Sequence, residues 1–558
     1  MPVIDLNRSR FARFFGKELS TSEMAEQLPW LGLDIEDVTA ESVKVEYNPN
    51  RADFCSYTGI ARALQGVVNL KTGLIDYMVT PSGVSFKVDP TVENVRPVIL
   101  CAVVRNLVID EDVVTEIMTM QDDLTWSIGR DRKKAAIGIH DLDKTRGPFT
   151  YIGCQPDSLT FIPLGKTEEM TPRQVLEKHE KGIAYGHLVA GLERYPVILD
   201  GDGGIISFPP VINSEQTRVT GDTRNLLIDV TGYEMGPVSN ALSILVTALA
   251  DMGGTLQSIV MDYRAREIVS PDLSPKVMEF RPGYGRRLLG LKLSDDRVAD
   301  ALERCRMRVR RRDRTFDVEI PAYRVDIMHE VDLVEELALG YGFYKITPTM
   351  PKTLGIGEAH PLVELARKGR IIMVGLGYVE TMNLILTNDD LHYHRMRMRN
   401  GDAVRLLNPV SADFSIMRTS LLPGLMKNLM DNTHESYPQK IFESSDIILR
   451  QPDSPVKTRR VLHLAGVSSH AEAGFTEARS VVESVLQNLG IEGWSVVEDS
   501  QPFFVEGRAA KMVLEGHEVG IVGEVHPEVL SNFLLENPVA AFEIDLELTD
   551  EHRRKRYL

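Results

Sequence analysis

Apolar and polar positions along this 558-residue chain alternate between two periods. Near the start, GKELSTSEMAEQLPWLGLDIED spaces its apolar residues at helical intervals behind Ser20, and the following VKVEY alternates residue by residue. That succession predicts an amphipathic helix with Ser20 as its N-cap, feeding a half-buried strand. The order returns near residue 290, where GLKLSDDRVADALERCRMRVRR offers Ser294 as a cap and leads to the strand FDVEI. After each strand comes a proline-containing turn with Arg-x-Asp, then a second helix ending near Gly66 or Gly340. Arg51 and Asp53 recur 273 positions later as Arg324 and Asp326, so the later halves of the two copies align without a gap. The chain therefore carries an internal repeat.

Between the copies, VRPVILCAVVRNLVI reads as an apolar strand, DDLTWSIGRDRKKAAIGIHDLDK as a basic helix end running into a buried strand, and PPVINSEQTRVTGDTRNLLIDVTGYE as two strands around polar turns. EIVSPDLSPKV reads as a linker. After TPTMPKTLG the pattern changes again, with helix-like HPLVELARKGRIIMVGLGY and FTEARSVVESVLQNLG and strand-like KIFESSDIIL, VLHLAGVSS and AAFEIDLEL. We expect a multidomain protein of α/β and α+β character: a first repeat module at 1–85, an α/β domain at 90–265, the second repeat at 272–348 and a last unit at 352–558.

Composition adds limits. With 43% hydrophobic and 26% charged residues the chain is ordinary globular protein. No window approaches the roughly 18 uninterrupted apolar residues of a membrane span, so the cytoplasm is the default. The four cysteines lie far apart, which suggests neither a zinc site nor a disulfide framework. A net charge of −17 argues against a general polyanion binder. Basic runs at 304–314, 394–399, 457–460 and the terminal EHRRKRYL leave room for local contact with RNA. In the first run Arg306, Arg308, Arg310 and Arg312 alternate as one face of a strand, and a solvated edge explains them equally well.

The strongest chemical signal is YRVDIMHEVDLVEELALGYG, which gathers Asp326, Glu330, Asp332, Glu335 and Glu336. Asp332, Glu335 and Glu336 fall on one helical face, where like charges repel. Water and salt relieve such a face in most proteins, and a hard divalent cation held by oxygen ligands would also do so. In the early copy the matching positions are Gly59, Arg62 and Ala63, so the shared scaffold does not require the cluster. No Walker A loop, Gly-rich dinucleotide fingerprint or nucleophile elbow is present.

The pairing of NPNRADFCSYTGIARALQG with PAYRVDIMHEVDLVEELALGYGF, in that order and distance, resembles the β subunit of phenylalanyl-tRNA synthetase in its shorter archaeal and eukaryotic form. WSIGRDRKKAAIGIHDLD and PPVINSEQTRV with DVTGYE are similar to that family's editing domain; LNPVSADFSIMRTSLLPGLMKNL and FESSDIIL are similar to its class II synthetase-like core. The likeness spans essentially the whole chain. It implies an editing domain at 90–265, a magnesium site in the second repeat, and a C-terminal antiparallel-sheet core without catalytic motifs, since Arg418 is followed by Thr419 and Ser420 where an acid would be needed. It implies Mg2+ at Asp326, Asp332, Glu335 and Glu336, so that chelation should loosen the domain. It further implies a catalytic α chain in an α2β2 heterotetramer and tRNA(Phe) as partner. For editing, which removes tyrosine wrongly attached to that tRNA, the candidates are Asn213, Ser214, Thr217, Thr231 and Glu234, with Glu234 accepting the phenol proton. Tyr233 and Glu234 depart from the family's more usual Thr-Gly-Thr-Asp, and turn capping explains Asn213 and Ser214 equally well. A stand-alone metal-dependent hydrolase built on the acid cluster and an inactive assembly scaffold are the competing readings.

Overall fold

Ser20 opens the helix Thr21–Gln27 by accepting the amide of Glu23, whose carboxylate returns to the amide of Ser20. Ser294 opens Asp295–Arg304 by accepting the amide of Arg297. These caps begin the same small unit twice in the computed structural model, which describes residues 2–264, 266–352 and 355–550. In the first copy Val3–Asn7, Asp34–Val38 and Ser42–Glu46 form a three-stranded antiparallel sheet with the last strand central. Lys276–Phe280, Arg308–Arg311 and Phe316–Ile320 repeat that order. The closing helices are Tyr57–Val67 and Glu330–Tyr341. Glycine is required where they pack: a Cβ on Gly66 would stand 1.9 Å from the carbonyl oxygen of Arg304, and one on Gly340 1.9 Å from that of Ala301. Both helices thus lean on Asp295–Arg304 at backbone distance.

The run VILCAVVR is the strand Val98–Arg105, and its lack of alternation has a cause. Leu100, Ala102 and Val104 share one core with residues of the helices Glu111–Trp126 and Met235–Asp251, whereas Ile99, Cys101 and Val103 share another with Phe86 and Phe149. A strand covered on both faces gains nothing from polar positions. It belongs to a ten-stranded sheet. Val79–Val88 joins that sheet in parallel with Thr255–Asp262 and Phe149–Cys154, so the sheet begins before residue 90. The remaining pairings described are antiparallel, which makes this region a mixed sheet rather than a succession of βαβ units. The order runs from Ile212–Asn213 to Ala135–Asp141, and these two ends approach each other: Asn213 Nδ2 donates to Ile139 O at 3.3 Å. The curl encloses a cavity.

Residues Met1–Met350 form one compact unit and Pro351–Leu558 another. In the second, a seven-stranded sheet is antiparallel except where Val379–Glu380 runs parallel to Gln439–Arg450. Leu462 and Leu464 pack with residues of Pro361–Gly375 and Phe475–Asn488; Val461, Ala465 and Val467 pack with Leu422–Asp431 on the other face. Among the described residues no helix is long and apolar enough to cross a membrane. The basic run at 551–558 lies outside the described residues.

Candidate functional site

The curled sheet leaves a cavity of about 460 Å3 between Ala135–Asp141, the turn around Pro209–Ser214 and the helix Glu111–Trp126. That volume suits a small-molecule or amino-acyl group. Three of the sequence candidates line it: Asn213, Ser214 and Thr217. Asn213 Oδ1 accepts the Ser207 hydroxyl at 2.9 Å, and Ser214 Oγ donates to Ile162 O at 3.3 Å while capping the short turn Glu215–Thr217. Arg132 ties the far wall, donating Nη1 to Pro210 O at 3.0 Å and Val211 O at 2.8 Å.

Thr231 and Glu234 are not among the lining residues. Thr231 is fully buried and spends its hydroxyl on Arg96 Nε at 3.0 Å, while its carbonyl accepts Arg96 Nη2 at 2.7 Å. Glu234 stands at the start of Met235–Asp251 with its side chain 65% exposed, 3.9 Å from Lys134. The structure therefore corrects their grouping: these two do not converge with Asn213, Ser214 and Thr217.

Two residues that the sequence reading passed over do converge. His140 Nδ1 lies 2.8 Å from Thr217 Oγ1, and His140 Nε2 lies 2.9 Å from Asp229 Oδ2. Asp229 sits opposite Gly138 in the strand pairing, where any Cβ would come within 2.1 Å of Asp229 Oδ2, so glycine leaves the carboxylate its room. Asp229 Oδ1 is buried without a hydrogen-bond partner. The available signal was an ionisable residue within each of two apolar strand runs, AAIGIHD and LLIDVTG, where burial is costly unless partners are at hand.

The acid cluster has a cation of its own. Arg324 donates Nε and Nη2 to Asp326 at 2.9 and 2.7 Å, and Nη1 and Nη2 to Glu336 at 2.8 and 2.6 Å. Burial works against its charge, but the two carboxylates outweigh burial and hold the guanidinium well above its ordinary range. Burial likewise opposes ionised Asp326, and the Arg324 charge prevails to hold that carboxyl below its usual value. Asp332 turns one oxygen toward the amides of Met328 and His329 at 2.8 and 2.7 Å, capping its own helix, and Glu335 is exposed. Among the described residues no group of three or more His, Cys, Asp or Glu gathers as a metal site would. Asp326, Asp332, Glu335 and Glu336 thus do not fit a four-carboxylate cage in this arrangement, because Arg324 already neutralises two of them. The first copy keeps the same self-paired turn, with Arg51 Nε and Nη2 each 2.9 Å from Asp53.

The basic strand is also internally matched. Arg308 reaches Asp76 and Glu319, Arg310 reaches Glu319 at 2.7 Å, Arg311 reaches Asp296 at 2.6 Å, and Arg312 pairs with Asp317. In the second unit Arg418, whose neighbours lacked the expected acid, gives Nη1 to buried Glu443 at 2.8 Å and Nε to Asp446 O at 3.0 Å. A guanidinium so committed is not presented to a nucleotide phosphate.

Against known proteins, residues 278–343 match the tRNA synthetase B5 domain, and residues 346–546 match the phenylalanyl tRNA synthetase beta chain CLM domain. The chain is 42% identical to the phenylalanine–tRNA ligase beta subunit of Methanothrix thermoacetophila, over 98% of this chain and 100% of that one. It is 40% identical to that of Methanocaldococcus jannaschii over the same shares. The crystal structure of an N-terminal fragment of the phenylalanyl-tRNA synthetase beta subunit from Pyrococcus horikoshii is 37% identical and superposes with a TM-score of 0.59, covering 61% of this chain and 99% of the fragment. Full-length similarity at this level leaves one assignment: the chain belongs to the phenylalanine–tRNA ligase β-subunit family.

Proposed function

We propose that this ligase subunit works with a catalytic α chain to join phenylalanine to tRNA(Phe), using ATP and releasing AMP and diphosphate, and that its own cavity hydrolyses tyrosine wrongly attached to that tRNA. The observation that carries the second half is the 460 Å3 cavity, walled by Ser207, Asn213, Ser214 and Thr217 and reaching buried Asp229. Tyrosine and phenylalanine differ by one hydroxyl, and a site with buried polar groups rejects the analogue lacking that hydroxyl by about 10⁴ or more. Asp229 Oδ1, buried and unpartnered, is an acceptor of that kind.

The α2β2 assembly, the cytoplasmic location and the magnesium ion belong to this proposal as well. Arg281 holds Glu330, so the donors of the acid cluster that Arg281 and Arg324 leave free are Glu335 and one oxygen of Asp332, two carboxylates of the sort magnesium usually supplements with retained water. Asp326 and Glu336 would join them only on release from Arg324. The stand-alone metal hydrolase has no support from this geometry. The test is phenylalanine-dependent ATP–diphosphate exchange: the purified chain should show none, and addition of the partner chain should bring it to about 1–100 turnovers per second. Exchange by the chain alone would overturn the reading.

A further inference from the structure

We propose that the turn Trp126–Lys134, at the edge of the cavity, is the dock for the single-stranded end of the acylated RNA, with Arg130 and Lys133 taking its phosphates and Trp126 stacking on an unpaired base behind the acylated nucleotide. This rests on the reading of the cavity as a hydrolytic site and supplies the RNA contact that such a site needs. Asp122 and Thr125 line the cavity just before the turn, and Arg132 and Ala136 line it from within the turn and just after it. Met118, Asp122 and Trp126 stand four residues apart on the helix Glu111–Trp126, so they share a face, and the first two line the cavity. Trp126 is 58% exposed.

The charges of this turn are not spent within the chain. Arg308, Arg310, Arg311 and Arg312 each meet an acid, whereas Arg130 and Lys133, both exposed, form no ion pair among the described residues. Residues 130–134 hold four cations against one acid, Asp131, in a chain whose net charge is −17. Lys134 is 3.9 Å from Glu234 and is therefore left out of the dock. Unmatched cations attract a polyanion to the place where they stand, and an exposed indole beside them is a platform on which any unpaired base can stack.

A turn that was merely solvated would not need the backbone found here. Arg130, Asp131 and Arg132 follow one another at φ of 49°, 53° and 64°, a left-handed stretch that side chains other than glycine adopt at a cost and usually one at a time. Gly129 admits it, since a Cβ there would stand 2.2 Å from Thr125 O and 2.3 Å from Ala135 O. Two fixtures hold the stretch in place. Arg96, 1% exposed and without an ion-pair partner among the described residues, gives Nη2 to Arg132 O at 3.0 Å, and burial holds its pKa below the ordinary guanidinium range. The Arg132 guanidinium lies 3.9 Å from the centre of the Tyr185 ring while it donates to Pro210 O and Val211 O. A buried cation lacking a counter-charge is costly, and this one is committed to the shape of the turn. Backbone strain persists where the surroundings over-determine it, and it gathers at ligand clamps.

The experiment uses the chain assembled with its catalytic partner and reads the second-order rate of tyrosine release, over a range of salt, from two probes. One is tyrosyl-tRNA(Phe); the other is the tyrosyl ester of adenosine, which has no flanking phosphate or base. The double variant Arg130→Ala/Lys133→Ala should lower the rate from tyrosyl-tRNA(Phe) by about 10-fold and flatten the slope of log rate against log salt by about 1.4, two phosphates at about 0.7 each. Trp126→Ala should lower that rate by about 10-fold with the slope unchanged, and Trp126→Phe should restore most of it. Release from the adenosine ester should stay within about 2-fold in all of them, because the cavity is intact. Arg310→Ala, an exposed arginine already matched by Glu319, should leave both probes within about 2-fold. An unaffected rate and salt slope in the double variant, or an equal loss on both probes, overturns the dock alone; absence of release from tyrosyl-tRNA(Phe) by the wild-type complex overturns the hydrolytic reading, and the dock with it.

Discussion

His392 makes the plainest statement about pH of any residue in the chain. It is buried, its Nε2 accepts the Thr419 amide at 3.1 Å, and burial lowers its pKa from 6.5 to about 4 despite the opposing pull of Glu543 and Asp389. A histidine with a depressed folded pKa binds fewer protons folded than unfolded. Its contribution is therefore complete above about pH 6.5 and is lost as pH falls toward about 4, a swing of about 3 kcal/mol. Denaturant midpoints followed by Trp494 fluorescence, with Trp30 and Trp126 replaced by Phe, should fall across that window. His392→Gln should flatten the fall, and an unchanged slope would contradict the assignment. His392 was not singled out from sequence, and neither were His140 and Asp229. The reason is common to them: each acquires its role from strand register or from a partner remote in sequence, with His140 and Asp229 89 positions apart. Asn213, Ser214 and Thr217 were legible through the family resemblance of PPVINSEQTRV, since turn capping, which Ser214 also performs, explains a polar turn between two apolar strands equally well. Thr231 and Glu234 were grouped with them because DVTGYE resembles the family's editing domain and puts polar groups at a strand end, which says nothing of Arg96 reaching across to claim Thr231.

At the scale of elements, the repeat was readable because its marks are local: two serine caps, two strands and two Arg-x-Asp turns. The acid cluster was read by counting carboxylates, and Arg324, inside the same segment, decides the electrostatics. Removing the guanidinium with Arg324→Met strands Asp326 and Glu336, both largely buried, and should cost about 3–5 kcal/mol in chemical denaturation. Chelation should lower melting of the chain by much less than Arg324→Met does, because Arg324 and not the metal neutralises Asp326 and Glu336; a chelator-induced drop matching that of Arg324→Met would restore magnesium as the principal counter-charge. The strand Arg308–Arg311 gives a parallel case. Because Arg310 faces Glu319 at 2.7 Å, Arg310→Ala should change the slope of log affinity for tRNA against log salt by well under one, whereas a direct phosphate contact predicts about one. Alternation along the strand was visible in sequence; the acids on the neighbouring strand were not.

For the whole molecule, the two compact units carry different halves of the account. The second has a synthetase-like antiparallel sheet whose interior charges are matched within the chain, Arg418 with Glu443 and His463 with Glu543 at 2.7 Å. Such a unit has polar interior groups but no cation left over for ATP at Arg418, which is why activation is assigned to a partner chain. The first holds a mixed sheet curled until its ends meet, and the enclosed space is where hydrolysis is assigned. The measurement that bears most directly on this division is the rate of amino-acid release from tyrosyl-tRNA(Phe) and phenylalanyl-tRNA(Phe) by the assembled enzyme. The account predicts that tyrosine is released at least about 10⁴-fold faster than phenylalanine; equal rates for both, or no release of either, would contradict it.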